Sequence, residues 1–186
     1  MFGVSRTSLR EALQMLSVQG LIAIKKGSGI YVNNYSLSQA LSPLNRYSKL
    51  SISIEIPDYI FSARNLFEPQ IALIAAEKRD EYDIQRLEEN ISTLNNQKNY
   101  EVNILQIIDK DFRFNVCKAA KNRIVTALME PLIRLSPVRA AVAGSELEST
   151  LNAIITSHQT IYKATMQKDT VGARDAMIDH LANLAF

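Results

Sequence analysis

The sequence predicts a mainly α-helical fold, in which a small head with one helix and a β-hairpin precedes an all-α antiparallel bundle of six helices. Three observations support this fold class. Apolar residues recur at helical spacing from position 58 onward, with only short interruptions. Two β-prone runs flank a glycine-containing loop between residues 21 and 32. The 186 residues are 47% hydrophobic and 22% charged, which is typical of a globular protein rather than a disordered one.

Composition and charge exclude several classes of protein. The single cysteine, Cys117, cannot form an intrachain disulfide, which indicates an intracellular and here cytoplasmic protein. No apolar run approaches the ~18 residues of a membrane span, so no membrane partner is expected. The net charge of +2 is uneven, because residues 1–34 contain four basic residues and one acidic residue. This excess predicts an anion-binding head.

The head, residues 1–34, has clear start and stop signals. Ser5 is a good N-cap for a helix that carries an apolar stripe, and Gly20 is a natural C-cap. Two short strands with a Lys25–Gly29 loop then predict the hairpin. A head of this size has no second layer to cover its apolar face. We therefore expect the rest of the head to precede Met1.

Residues 35–57 are rich in Asn, Ser, Pro and Tyr and predict a linker, with a short helix around 37–48. Residues 58–186 predict the helical domain. Its six helices are expected at 58–78, 80–97, 101–119, 121–142, 146–168 and 170–185. Short joints between helices of this length indicate an antiparallel bundle.

The first helix and the hairpin carry an ordered motif. It runs from Gly3 to Leu13 as GVSRTSLREAL, continues with Leu16 and Gly20-Leu21, and ends at the Gly27-Ser28-Gly29 loop. This segment resembles the second half of the winged helix-turn-helix domain of the GntR superfamily of bacterial transcription factors. The resemblance implies a partial winged helix-turn-helix whose helix reads the major groove of operator DNA and whose wing also touches DNA.

The chemistry of the head agrees with DNA binding. Arg6 and Arg10 project from one helix face at i and i+4, and guanidinium groups suit guanine edges and phosphates. Ser5 and Thr7 lie at a helix amino end, where a phosphate can bind. The predicted DNA-binding residues are Ser5, Arg6, Thr7, Arg10, Lys26 and Gly27. By spacing alone, the two arginines are also consistent with solvated surface charges.

The two histidines of the chain lie on the last two predicted helices. His158 and His180 are equally distant from the predicted turn at Lys168-Asp169, so an antiparallel pair would bring them to the same height. Asp109 and Arg113 share a face of an earlier helix at i and i+4. The two histidines are therefore expected to face one cavity.

The helical domain resembles the FCD ligand-binding domain of the FadR-like GntR branch. The matching stretches are Arg64–Glu68 with Ala75-Ala76, Asp109–Phe114, Asn122, His158 with Ile161, and Asp169–Ala173 with Met177 and His180. In many members an Asp and three His hold a divalent metal, and the resemblance places Asp109, His158 and His180 on three of these positions. It implies zinc, nickel or manganese as the cofactor, and a homodimer.

Arg113 occupies the position where the family pattern has the remaining His. A guanidinium has no lone pair for a metal, so Arg113 cannot be a ligand. Three interpretations remain open. In the first, Asp109, His158 and His180 bind a metal together with water or effector. In the second, Asp109 and Arg113 form a structural ion pair beside two buried histidines. In the third, Arg113 and Arg64 bind the carboxylate of an acid without a metal. The predicted effector contacts are Arg64, Arg113 and Asn122.

These features predict a ligand-responsive, DNA-binding transcriptional regulator that senses a small organic acid and is not an enzyme. Effector binding would favour one arrangement of two heads and change their fit to two half-sites. One alternative is a metal-dependent hydrolase or lyase using Asp109, His158 and His180, but no general base is evident beside them. Another is a truncated dimerising fragment that does not bind DNA.

Overall fold

The computed structural model describes residues 3–33, 56–96, 102–134 and 145–184. The chain divides into two compact units, Met1–Leu44 and Asn45–Phe186. The predicted short helix at 37–48, and the predicted linker as far as residue 55, lie outside the described residues. No helix within the described part of the chain is both long and apolar enough to cross a membrane.

The first unit contains helix α1 (Arg6–Val18) and a hairpin of β1 (Ile22–Lys25) and β2 (Gly29–Val32), as predicted. Ser5 caps α1, because its hydroxyl accepts the Ser8 N–H at 3.0 Å. After the helix, Gly20 adopts φ 77°, and the N–H of Leu21 bonds to the Leu16 carbonyl at 3.0 Å. This pattern ends helices sharply and directs the chain into β1.

The apolar side of α1 is open. None of its residues is buried, and Leu9 and Met15 are 53% and 65% exposed. An apolar stripe normally packs against a second layer.

Six helices form the second unit. Their bounds are α2 (Ile56–Lys78), α3 (Glu81–Asn95), α4 (Val102–Ala119), α5 (Arg123–Arg134), α6 (Ser145–Gln167) and α7 (Thr170–Leu184). The predicted all-α bundle is confirmed, and the described helix ends lie within two residues of the predicted ones. Residues 135–142 of the predicted fourth helix lie outside the described part. Helix α2 packs against α4, α5, α6 and α7 and therefore lies at the centre of the bundle.

Capped ends allow the helices to reverse direction over a few residues. Asp80 and Asp83 form a reciprocal capping box at the start of α3, with each side chain accepting the other's backbone N–H. Asp169 caps α7 by accepting the N–H of Gly172 at 2.9 Å. Just before it, Lys168 takes a left-handed φ of 58°, which stops α6. The sharp turn makes α6 and α7 an antiparallel pair.

The core of the bundle is formed by apolar side chains from all six helices. Its fully buried members include Leu87, Phe112, Ile161, Met177 and Leu181. Burying side chains of this size contributes roughly 1.5–3 kcal/mol each. A group of polar and charged residues is buried among them, and this group is the candidate site.

Candidate metal and effector site

The predicted DNA-binding residues lie together on the first unit. Arg6, Thr7 and Arg10 are exposed on α1, and Lys26 and Gly27 are exposed at the hairpin turn. Gly27 has φ 76°, a conformation that favours glycine. Ser5 uses its hydroxyl to cap the helix. Their contact with DNA stays a prediction.

A central polar cluster is buried in the second unit. Its six residues come from four helices: Arg64 and Glu68 on α2, Asp109 and Arg113 on α4, His158 on α6, and His180 on α7. None is more than 8% exposed, and both histidines are 0% exposed. Charged groups are seldom buried unless they are paired. The convergence that the sequence predicts for these side chains is therefore present, and Glu68 joins it.

Arg113 bridges two carboxylates. Its Nε donates to Oδ2 of Asp109 and its Nη1 donates to Oε1 of Glu68, both at 3.0 Å. The same Oε1 accepts Nε of Arg64 at 2.8 Å. Although burial lowers the pKa of Arg113, the two carboxylates raise it above its ordinary value. Burial raises the pKa of the Asp109 carboxyl, but the guanidinium of Arg113 and the two imidazoles outweigh it and hold this pKa well below the ordinary range.

The two imidazoles approach the other oxygen of Asp109. Nε2 of His158 and Nε2 of His180 both lie 3.2 Å from Oδ1. Phe112 stacks on the His158 ring with centroids 3.8 Å apart. Burial lowers the pKa of His158 to about 4 despite its hydrogen bond to Asp109, so this imidazole is neutral near pH 7. Because the carboxylate only accepts, His158 donates its Nε2 proton to it.

Ser157 contacts the second nitrogen of His180. Its hydroxyl oxygen lies 2.9 Å from the Ile154 carbonyl oxygen and 2.8 Å from Nδ1 of His180. If the hydroxyl donates to Ile154, it accepts from Nδ1, and Nε2 of a neutral His180 carries the lone pair; if it donates to Nδ1, Nε2 carries the proton and faces Asp109. A metal ligand requires the first of these tautomers, with the lone pair on Nε2. This nitrogen has no hydrogen-bond partner among the described residues, although Asp109 Oδ1 is 3.2 Å away.

This arrangement fits a divalent cation. Asp109, His158 and His180 each offer one ligand atom, and these atoms lie within 4.8 Å of one another. Separations of 3.2 Å match the ~3.3 Å edge of a tetrahedron with ~2.0 Å metal bonds. To act as a ligand, His158 must carry its proton on Nδ1 instead.

Comparison with known proteins identifies the family. Residues 59–183 match the FCD domain, and residues 1–32 match the bacterial regulatory proteins of the gntR family. The chain belongs to the GntR family and contains an FCD domain. It is 32% identical to the Uxu operon regulator of Haemophilus influenzae, over 98% of this chain and 68% of that protein. It is 27% identical to the HTH-type transcriptional regulator LutR of Bacillus subtilis, over 98% of this chain and 84% of that protein.

A solved structure supports the fold. The structure described as Streptococcus agalactiae GntR superposes with a TM-score of 0.72 at 22% identity, covering 97% of this chain and 81% of that one. The family resemblance inferred from the sequence is thus confirmed. The chain is a ligand-responsive, DNA-binding transcriptional regulator, and the named relatives do not favour the hydrolase alternative.

Within the FCD domain, Asn122 lies apart from the central polar cluster. Its side-chain oxygen accepts the N–H groups of Ile124 and Val125 at 3.1 and 3.2 Å, so it caps α5, and the residue is exposed. Its predicted effector contact has no counterpart in these hydrogen bonds and stays a prediction. Arg64 and Arg113, the other predicted effector contacts, lie in the cluster but are engaged by carboxylates.

Two residues of the site were not predicted from the sequence. Glu68 lies four residues after Arg64, so an i, i+4 ion pair was a signal available in the sequence. Ser157 had no such signal, because its contact with His180 depends on how α6 and α7 pack. It also lines a groove of about 410 Å³ between these helices. Ser157 therefore places this groove next to His180.

Proposed function

We propose that the FCD domain of this regulator senses a small carboxylate metabolite at a divalent metal held by Asp109, His158 and His180. The observation that carries the proposal is the convergence of one ligand atom each from these three buried residues, all within 4.8 Å of one another. Three protein ligands leave a coordination position for an exogenous group. A bound metal would supply a positive charge that attracts a carboxylate.

The protein's own residues prepare this site. Arg113 holds Oδ2 of Asp109 and so turns Oδ1 toward the imidazoles. Ser157 orients the ring of His180, and Phe112 packs flat on the ring of His158. Outer contacts of this kind fix ligand orientation and tautomer. Burial of the whole group excludes water and strengthens its attraction for an anion.

The head is proposed to bind the operator DNA. Arg6, Thr7 and Arg10 are proposed to read the major groove of operator DNA, with Lys26 and Gly27 of the wing touching the duplex. The exposed positive charge of α1 and the turn supports this role. The proposed assembly is a cytoplasmic homodimer that binds two half-sites. An effector that shifts the affinity for the operator through ~1–3 kcal/mol of coupling would suffice for regulation.

Metal content and effector response test the proposal. Purified protein is analysed for bound zinc, nickel and manganese, and each ion is titrated into metal-free wild type and His180→Ala. We expect stoichiometric binding by the wild type and loss of about tenfold or more in the variant. A panel of small carboxylates is then compared with the matching neutral amides by thermal shift, with and without metal.

Operator binding completes the test. The carboxylate that stabilises the metal-loaded protein is added to an operator-binding titration of the intact regulator, with Arg10→Ala as the control for the head. A changed operator affinity supports the sensor function. Tight effector binding with unchanged operator affinity, or no metal binding by the wild type, would contradict it.

A further inference from the structure

We propose that two residues outside the ligand set adjust the cation affinity of this site in opposite directions: Arg113 weakens it and Glu68 strengthens it. The inference rests on the proposed metal site. It assigns Arg113 a function different from effector binding, because both carboxylates next to it already engage its guanidinium.

Arg113 is hydrogen-bonded to one of the proposed metal ligands. Its Nε bonds to Oδ2 of Asp109, the same carboxylate whose Oδ1 faces the imidazoles. The guanidinium is 2% exposed, so neither water nor salt screens it effectively. A divalent cation at Oδ1 would therefore be repelled by a like charge across one carboxyl group.

Glu68 provides the opposite charge next to the same guanidinium. Its Oε1 accepts both Arg64 and Arg113, while its Oε2 is buried and has no hydrogen-bond partner among the described residues. Glu68 contacts Nη1 of Arg113, and Asp109 contacts Nε. Removing the negative charge of Glu68 would leave the repulsion of Arg113 uncompensated at the cation position.

The balance of charge explains why this adjustment matters. Arg64 and Arg113 carry two positive charges, and Glu68 and Asp109 carry two negative charges, so with neutral imidazoles the central polar cluster sums to zero. A divalent cation alone creates a buried excess of two positive charges, which is costly. An anionic ligand reduces that excess. The cation is therefore held weakly by itself and more tightly together with an anion.

The test uses zinc alone, competed against a chromophoric chelator, on metal-stripped full-length protein. Arg113→Gln keeps an N–H donor for Oδ2 of Asp109 and removes only the charge, so we expect it to bind zinc about tenfold tighter than wild type. We expect Glu68→Gln to bind zinc about tenfold weaker. Arg113→Lys keeps the charge and should stay within about threefold of wild type. The double variant Glu68→Gln/Arg113→Gln removes one charge of each sign and should also lie near wild type. Arg134→Gln, an exposed arginine on α5, is the matched control.

The order of the affinities decides the outcome, because loss of packing would weaken binding in every variant. Arg113→Gln binding zinc no tighter than wild type overturns the proposal. If circular dichroism shows that Arg113→Gln does not fold, the double variant is compared with Glu68→Gln instead. A double variant that binds zinc no tighter than Glu68→Gln then overturns the proposal. Failure of the metal site itself is distinct: wild type and all variants, with His180→Ala among them, would then bind zinc equally poorly.

Discussion

Replacing Ser157 by alanine removes the hydrogen-bond partner of Nδ1 of His180. His180 is 0% exposed, but Ser157 also lines the open groove, so water can partly replace the hydroxyl. The loss of stability should therefore lie near the lower end of the about 1–3 kcal/mol that an unsatisfied buried group costs. The ring also loses the contact that orients it toward Asp109, which should reduce metal affinity about 10- to 100-fold.

Three measurements test this expectation. Urea unfolding of metal-free Ser157→Ala reports the loss of stability, zinc titration reports the loss of affinity, and ¹⁵N NMR of the imidazoles reports the tautomer of His180. Thr160→Ala is the matched control, because its hydroxyl donates to the Thr156 carbonyl of its own helix, as Ser157 can to Ile154. An unchanged zinc affinity in Ser157→Ala, or a zinc-loaded wild type whose His180 carries no proton on Nδ1, would refute this role of Ser157.

Three further outcomes are expected. Arg113→Leu should destabilise the protein by about 3–5 kcal/mol in urea unfolding, because it removes the buried guanidinium that Asp109 and Glu68 share. Lys168→Gly should stabilise it by about 1 kcal/mol, since Lys168 has φ 58° and glycine adopts this conformation without strain. Hydrogen bonding from Lys121 lowers the pKa of Asp80 to about 2. Lys121→Met should therefore return that pKa toward its ordinary value in an NMR titration.

The predictions for Arg113 and for Asp80 each have a further check. Arg134→Leu removes a 68% exposed arginine that pairs with Glu130 and should cost about 0–1 kcal/mol. Because the folded-state pKa of Asp80 is depressed, its contribution to stability is present above its unfolded pKa and is lost as the pH falls toward 2. Lys121→Met should show less of that acid-induced loss. An Arg113→Leu variant as stable as wild type would contradict the buried ion-pair network.

Most of the fold could be predicted from sequence patterns that involve only neighbouring residues. The helices and the hairpin follow from apolar periodicity and from caps such as Ser5, Gly20 and Asp169, and each of these involves neighbours within a few residues. The two histidines could be placed together because α6 and α7 are joined by a sharp turn, so equal distance from the turn gives equal height. The prediction of their convergence with Asp109 additionally required the family resemblance.

The sequence by itself determined the helical elements, the positive head, the family and the shared height of the two histidines, because these depend on composition and on spacing along the chain. Only the tertiary structure decided the partners of each polar group. It directed Arg113 to two carboxylates, added Glu68 and Ser157 to the site, and used Asn122 as a cap. The physical reason is that side-chain contacts between helices depend on helix rotation and rotamers, which no single-helix period specifies.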